Sequence, residues 1–135
     1  LRRAVEDFGI CGMGEWLTQR WQVYPDDRAI ARPFLEACVD LGIPFGNNGS
    51  GPEPTQAPEV FARILTDFPD LKVVHQAAGL LTDAERARHP DQAGLPYRLL
   101  ALAEKHANFH LDIDDWQRID DAGKAVAVPE RWEAE

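Results

Sequence analysis

Four polar side chains of the sequence could share one site. Glu15, Asn48, His75 and Asp112 each lie at or near the end of a different short apolar segment. A carboxylate, an amide, an imidazole and a second carboxylate that meet in one place can move protons or hold a metal ion. They can do so only if the fold brings the ends of the four segments together.

The four apolar segments are predicted to be β-strands, near residues 10–15, 43–48, 71–77 and 108–113. Amphipathic stretches separate them, and the strongest one places apolar residues at helical spacing over residues 61–68. Strands that alternate with helices predict a parallel sheet that is covered by helices. We therefore predict an α/β fold in which residues 1–135 form a single domain, with a polar tail at 117–135.

The lengths of the connections predict where a site lies. The segments that follow the first three strands, 17–32, 49–57 and 78–95, are long, whereas each segment that leads into the next strand has one or two residues. In parallel α/β folds, ligands bind at the carboxyl ends of the strands, where these long connections start. Trp16 and Trp21 lie at the first connection and are predicted to form a wall of the substrate pocket.

The polar residues divide into two predicted roles. Glu15 and His75 are the candidates for catalysis, and Asn48 and Asp112 are candidates for substrate binding together with the two tryptophans. Each residue also has a structural interpretation: Glu15 in an ion pair with Arg20, His75 as a hydrogen-bonded core residue, Asn48 in a turn, and Asp112 in a contact within the sheet. The residues alone leave both interpretations open.

The charge and the cysteine content limit the classes of partner. The chain of 135 residues has 14 Lys and Arg against 23 Asp and Glu, which is a formal net charge of −9. This charge argues against nucleic acid and against an anionic membrane surface as partners. Cys11 and Cys38 are too few for a disulfide scaffold, and reduced thiols predict a cytoplasmic location. The expected partner is a small-molecule substrate, and a homo-oligomer is a further possibility.

Several phrases of the sequence resemble one protein family when they are taken in order. They are Phe8–Glu15, Tyr24–Asp27, Arg32–Cys38, Leu41–Pro44, Asp67–Val74, Ala78–Leu80 and Asn108–Asp112. Their order and spacing resemble the amidohydrolase superfamily, in particular the amidohydrolase-related group of TIM-barrel metal-dependent hydrolases and decarboxylases. The phrases look like the fourth to seventh strands of that barrel with their approaches, and the resemblance spans about residues 1–116.

The resemblance implies a partial (β/α)8 TIM barrel, in which this chain supplies about four parallel βα units and is a fragment of a longer enzyme. The family holds a divalent metal with an H-x-H pair on the first strand, a His on the fifth, a His on the sixth and an Asp on the eighth. The fifth-strand position aligns with Asn48 and the sixth with Ala77, so both depart from the pattern. Zinc or manganese is therefore expected only in the full-length protein, with His75 as the candidate ligand from this chain.

The resemblance implies two alternative functions. The first is hydrolysis of a C–N or C–O bond, or decarboxylation, of a small carboxylated or cyclic organic substrate, which a metal polarises or attacks with bound hydroxide. The second is a degenerate, non-catalytic barrel that binds a small ligand or a partner, and Asn48 and Ala77 motivate it. A separate alternative for the fold is a small doubly wound sheet that stands alone, whose edge strands would expose apolar faces.

Overall fold

A computed structural model describes residues 1–17, 23–49, 56–77, 81, 83–92 and 94–112. The helices are α1 (Arg2–Phe8), α2 (Arg32–Leu41), α3 (Pro58–Asp67), α4 (Asp83–Arg88) and α5 (Leu95–Lys105), with a 3-10 turn at Pro90–Gln92. The strands are β1 (Met13–Trp16), β2 (Phe45–Asn48), β3 (Val73–Gln76) and β4 (Phe109–Leu111). Trp21 and the predicted tail at 117–135 lie outside the described residues.

Proline and glycine residues define the ends of the longer helices. Pro33 and Pro58 lie in the first turns of α2 and α3, where the missing N–H of proline costs no helical hydrogen bond. Gly42 ends α2 in a left-handed conformation with φ of 65°; its N–H donates to the Val39 carbonyl oxygen, and the Ile43 N–H donates to that of Cys38. One residue later the chain can enter the next strand, which keeps the helix-to-strand connections short.

The four strands form one parallel sheet in the order β1-β2-β3-β4. Phe45 pairs with Val73, and Val73 pairs with Phe109, so three strands run in continuous register. Each strand follows a helix in the chain, as expected when a parallel connection has to cross over the sheet. The prediction of four parallel strands that alternate with helices is confirmed.

The first strand starts later than the sequence predicts. The apolar segment was expected to be extended from about residue 10, but β1 begins at Met13. The backbone N–H groups of Gly9 and Ile10 bind the Val5 and Ala4 carbonyl groups and so complete the end of α1. Because these donors serve the helix, they are not available to a strand at the same positions. At the other end, the described part of β4 stops at Leu111.

Helices α2, α3 and α5 cover one face of the sheet and bury the core against it. Strand positions 45, 47, 73, 75 and 109 are buried on this face, and their helical partners include Leu35, Phe61, Ile64 and Leu99, each at most 2% exposed. The alternate strand positions point the other way because side chains alternate across a strand. We call that second face the open face; it carries Gly46, Asn48, Val74, Gln76 and His110.

Burial on the open face is lower than on the helix-covered face. Asn48, Val74 and Gln76 are half-buried, and His110 is exposed. In a closed barrel this face would line the interior. None of the helices in the described ranges combines the length and the apolar character that a membrane crossing requires.

We predict that Gly49→Ala destabilises the fold. Gly49 is buried directly after β2, and a Cβ atom at this position would overlap the His75 ring and the Gln76 carbonyl oxygen. Overpacking of this kind typically costs about 1–3 kcal/mol of unfolding free energy. The matched control is Gly94→Ala, since nothing lies within 4 Å of a Cβ at Gly94. Urea unfolding of both variants measures the difference, and equal midpoints would contradict the packing described here.

Candidate functional site

Glu15 and Asn48 form a hydrogen-bonded pair at the carboxyl ends of two adjacent strands. The Asn48 side-chain Nδ2 donates to Glu15 Oε1 at 3.1 Å, between β2 and β1. Glu15 is exposed and Asn48 is half-buried, so the amide orients a carboxylate that solvent can reach. The structure thus brings together two of the residues that the sequence predicts as site residues.

An irregularity in β1 directs Glu15 to the open face. Met13 pairs with Phe45, but Trp16 pairs with Asn47. Between these two pairs β1 advances by three residues, whereas β2 advances by two. One extra residue places two successive side chains on the same side of a strand. Met13 and Trp16 both pack against the core, and Glu15 between them reaches Asn48 on the other side.

Glu15 and Asn48 belong to a longer row of polar side chains. Asn48 is in register with Gln76, and the Asp112 backbone N–H continues the ladder by donating to the His75 carbonyl oxygen at 3.0 Å. Alternation in β4, where Phe109 is buried and His110 is exposed, puts Asp112 on the open face. Neighbouring strands lie about 4.8 Å apart, so the four side chains follow one another across the sheet at about this spacing. We call Glu15, Asn48, Gln76 and Asp112 the polar row.

Gln76 is a member of the row that sequence reasoning missed, because it favoured His75 for the same strand. Val73 and Val74 are both apolar, so hydrophobicity alone does not show which alternate residues of β3 face the core. The register does: Val73 lies beside buried Phe45, and Gln76 therefore lies beside Asn48. A pairing of β2 with β3 residue by residue could have found it.

His75 lies on the opposite face of the sheet from the polar row. Its imidazole is fully buried, with its ring centre 4.8 Å from that of Phe61 and 6.0 Å from that of Phe109. Within the part of the chain that the structure describes, neither ring nitrogen makes a hydrogen bond of good geometry. Burial lowers the pKa of His75 to about 4, so the ring is neutral at pH 7. The structure does not bring this candidate for catalysis to Glu15, and it corrects the orientation expected of the side chain.

Trp16 also points to the helix-covered side, at the outer edge of β1. Its ring packs edge-on against Phe34 of α2, with centroids 5.4 Å apart, and lies 5.9 Å from Phe45. A groove of about 330 Å³ runs past it. The residues that line this groove are Glu15, Trp16, Leu17, Val23, Ile30 and Phe34. Trp16 therefore forms an apolar wall that begins at the Glu15 end of the polar row.

A buried amide contact fixes the carboxyl end of β2. Asn47, which is 0% exposed, donates through Nδ2 to the Asn48 carbonyl oxygen at 3.0 Å and to Gln56 Oε1 at 2.6 Å. Gln56 is also fully buried and lies just before α3. The contact ties the end of the strand to the start of the following helix.

A larger hollow of about 560 Å³ lies on the outer surface, between α2 and α3. Its charged side chains pair with one another: Arg63 contacts Asp26 at 2.6 Å, and Arg28 contacts Asp67 at 3.8 Å. The hollow is therefore a groove crossed by ion pairs on the far side of the helices from the polar row. This hollow is larger than the groove beside Trp16. The carboxyl ends of the strands are nevertheless the better candidate site, because ligands bind there in parallel α/β folds.

The described residues do not fit the imidazole metal site that the resemblance implies. Asn48 stands at the first expected ligand position, and Ala77 at the second has no donor atom in its side chain and is 4% exposed. His75 lies on the other face. Across the ranges that the structure describes, no group of three or more His, Cys, Asp or Glu side chains is placed to hold a metal ion.

We predict that His75 makes stability depend on pH in a defined window. The imidazole pKa falls from 6.5 to about 4 on folding, so the unfolded chain binds more protons between these values. The contribution of the neutral His75 ring to the free energy of unfolding is therefore fully present above about pH 6.5. It is lost as the pH falls toward 4, and the total loss is about 3 kcal/mol.

Urea unfolding between pH 4 and pH 7 measures this dependence. His75→Leu should remove that part of it, whereas His110→Gln, at an exposed position of β4, should leave it in place. An unchanged pH dependence in His75→Leu would show that other groups cause it.

Comparison with known proteins connects this geometry to a family. A family model described as amidohydrolase matches residues 1–134. An uncharacterised TIM-barrel protein from Bordetella bronchiseptica has a similar structure, with a TM-score of 0.57 and 28% sequence identity. The match covers 84% of this chain and 37% of that protein, so the chain spans well under half the length of its structural neighbour. No curated protein matches the chain.

These findings agree with the fold. Four parallel strands that alternate with helices, together with a TIM-barrel neighbour, correspond to a partial (β/α)8 barrel. The resemblance in the sequence phrases is confirmed, and the chain belongs to the amidohydrolase family.

Proposed function

We propose that the protein hydrolyses a C–N or C–O bond of a small organic substrate, with Glu15 as the general base. The observation that carries this proposal is the Glu15–Asn48 hydrogen bond at the carboxyl ends of β1 and β2. In TIM-barrel enzymes the catalytic groups come from this end of the strands. The activity is proposed for the whole protein, because the chain spans only part of its structural neighbour.

A general base must be oriented and accessible, and Glu15 meets both requirements. One carboxylate oxygen accepts the Asn48 amide, and the residue is exposed. In the proposed step the carboxylate accepts a proton from water while the water oxygen bonds to the substrate carbonyl carbon. The C–N or C–O bond then breaks, and the leaving nitrogen or oxygen takes the proton back from Glu15.

The rest of the row supplies substrate contacts. Asn48, Gln76 and Asp112 are proposed to bind polar groups of the substrate. Trp16 lines a groove beside Glu15 at the edge of β1, and it is proposed to contact an apolar part of the substrate that extends past this edge. Decarboxylation requires a bound carboxylate, which Glu15 and Asp112 would repel as neighbours of like charge. Charge in the row therefore favours hydrolysis over decarboxylation.

A second candidate function is a barrel that binds a small ligand without catalysis. Asn48 and Ala77 favour it, because they replace imidazoles at the two family ligand positions that fall in this chain.

The predicted cytoplasmic location and a homo-oligomer stay part of the proposal. The cytoplasmic prediction rests on Cys11 and Cys38, which are not joined in a disulfide.

We predict that Glu15→Gln lowers kcat/KM of the full-length protein by about 100-fold or more, since general-base catalysis contributes about 10²–10⁴-fold. Turnover of a panel of p-nitrophenyl esters, lactones and N-acyl amides would be measured. The matched control is Glu36→Gln, on the outer side of α2 in an ion pair with Arg32, which should stay within about twofold of the wild type. An unchanged kcat in Glu15→Gln would contradict the role of Glu15, and saturable binding without turnover would favour the second function.

A further inference from the structure

The position that the family resemblance gives to a metal-binding imidazole is used differently in this chain. Asn48 stands there and turns its amide Nδ2, a hydrogen-bond donor, toward Glu15 Oε1 at 3.1 Å. A metal ion is bound by lone pairs: the Nδ2 group that Asn48 turns to Glu15 offers none, and the carbonyl Oδ1 is the one atom of this side chain that could bind a cation. Asn48 therefore orients the Glu15 carboxylate through its Nδ2 group, and no imidazole stands at this position.

The second position cannot supply a ligand, and its neighbours do not compensate. Ala77 is buried with a φ of 57° and has no donor atom in its side chain. His75, two residues earlier, is held between Phe61 and Phe109 on the helix-covered face. Its ring would have to cross the sheet to meet Glu15.

The remaining imidazole on the open face lies too deep. His110 is in register with Val74, which places it two residues below Asp112 along β4. Two residues of a strand span about 7 Å, so His110 belongs to a different layer from the polar row. Its nearest strand neighbours on that face are Val74 and Gly46, neither of which has a polar side chain.

The thiols are placed no better. Zinc is bound by the thiolate form of cysteine, and burial raises the pKa of Cys38 to about 11, which keeps it protonated at pH 7. Cys38 also lies in the core under α2, away from the open face. Cys11 precedes β1 and is exposed on the amino-terminal side of the strand, opposite to the polar row.

We propose that strands β1–β4 contribute no metal ligand, and that the Glu15–Asn48 pair takes the place that a metal ligand holds elsewhere in the family. The part that concerns the metal stands on where the donors lie: the two carboxylates of the polar row, Glu15 on β1 and Asp112 after β4, are three strand spacings apart, and no group of three or more His, Cys, Asp or Glu side chains among the described residues is placed to hold an ion. The part that assigns chemistry to the pair rests on the proposed function. Its consequence is a site in which an oriented carboxylate, instead of a cation held by these strands, supplies the polar chemistry.

Metal content and metal affinity of the full-length protein test this inference without any substrate. The protein would be produced in medium with zinc and manganese and purified without chelator, and its metal content would be measured by mass spectrometry. Affinities for Zn²⁺ and Mn²⁺ would be measured by competition with a fluorescent chelator. The variants are Glu15→Gln, Asn48→Leu and Asp112→Asn, each checked for folding by its melting temperature.

We expect either no bound metal, or a metal content and affinity that stay within about twofold of the wild type in all three variants. Bound metal whose affinity falls tenfold or more in any folded variant would overturn the inference. If Asn48→Leu does not fold, the nearly isosteric variants Glu15→Gln and Asp112→Asn carry the test. Because the readout is metal and not turnover, a failure of the proposed function leaves this result interpretable.

Discussion

The packing of helices α2, α3 and α5 on one face of the sheet is the constraint on which the rest of the structure depends. Phe45, Val73 and Phe109 occupy neighbouring register positions and are at most 2% exposed beneath these helices. Since side chains alternate along a strand, burial of these three residues determines to which face each remaining side chain of β2, β3 and β4 points. Asn48 and Gln76 reach the open face because Phe45 and Val73 cannot leave the core.

The first strand departs from this alternation, and the departure creates the candidate site. With regular alternation from Met13, Glu15 would point into the helix-covered layer and leave a carboxylate to be buried at a large energetic cost. The extra residue between Met13 and Trp16 relieves this conflict. Trp16 fills the apolar layer against Phe34, and Glu15 is left beside the Asn48 amide.

Much of this arrangement could be predicted from the sequence, and the exceptions have physical reasons. The apolar spacing over 61–68 predicts the helix that is observed at Pro58–Asp67, the four strands follow from their apolar segments, and Glu15, Asn48 and Asp112 follow from their places at strand ends. The assignment of His75 to the site instead of Gln76 arose because adjacent valines hide the alternation. The orientation of Glu15 depends on an irregular pairing between strands, which local sequence does not encode.

Thiol accessibility shows directly which residues of β2 and β3 lie on which face of the sheet. Cysteines would be introduced singly at Asn47, Asn48, His75 and Gln76 in a Cys11→Ser background, where buried Cys38 stays unreactive. We predict that a small maleimide labels positions 48 and 76 at least about tenfold faster than positions 47 and 75. Faster labelling at 47 and 75 would reverse the faces and remove Asn48 and Gln76 from the candidate site.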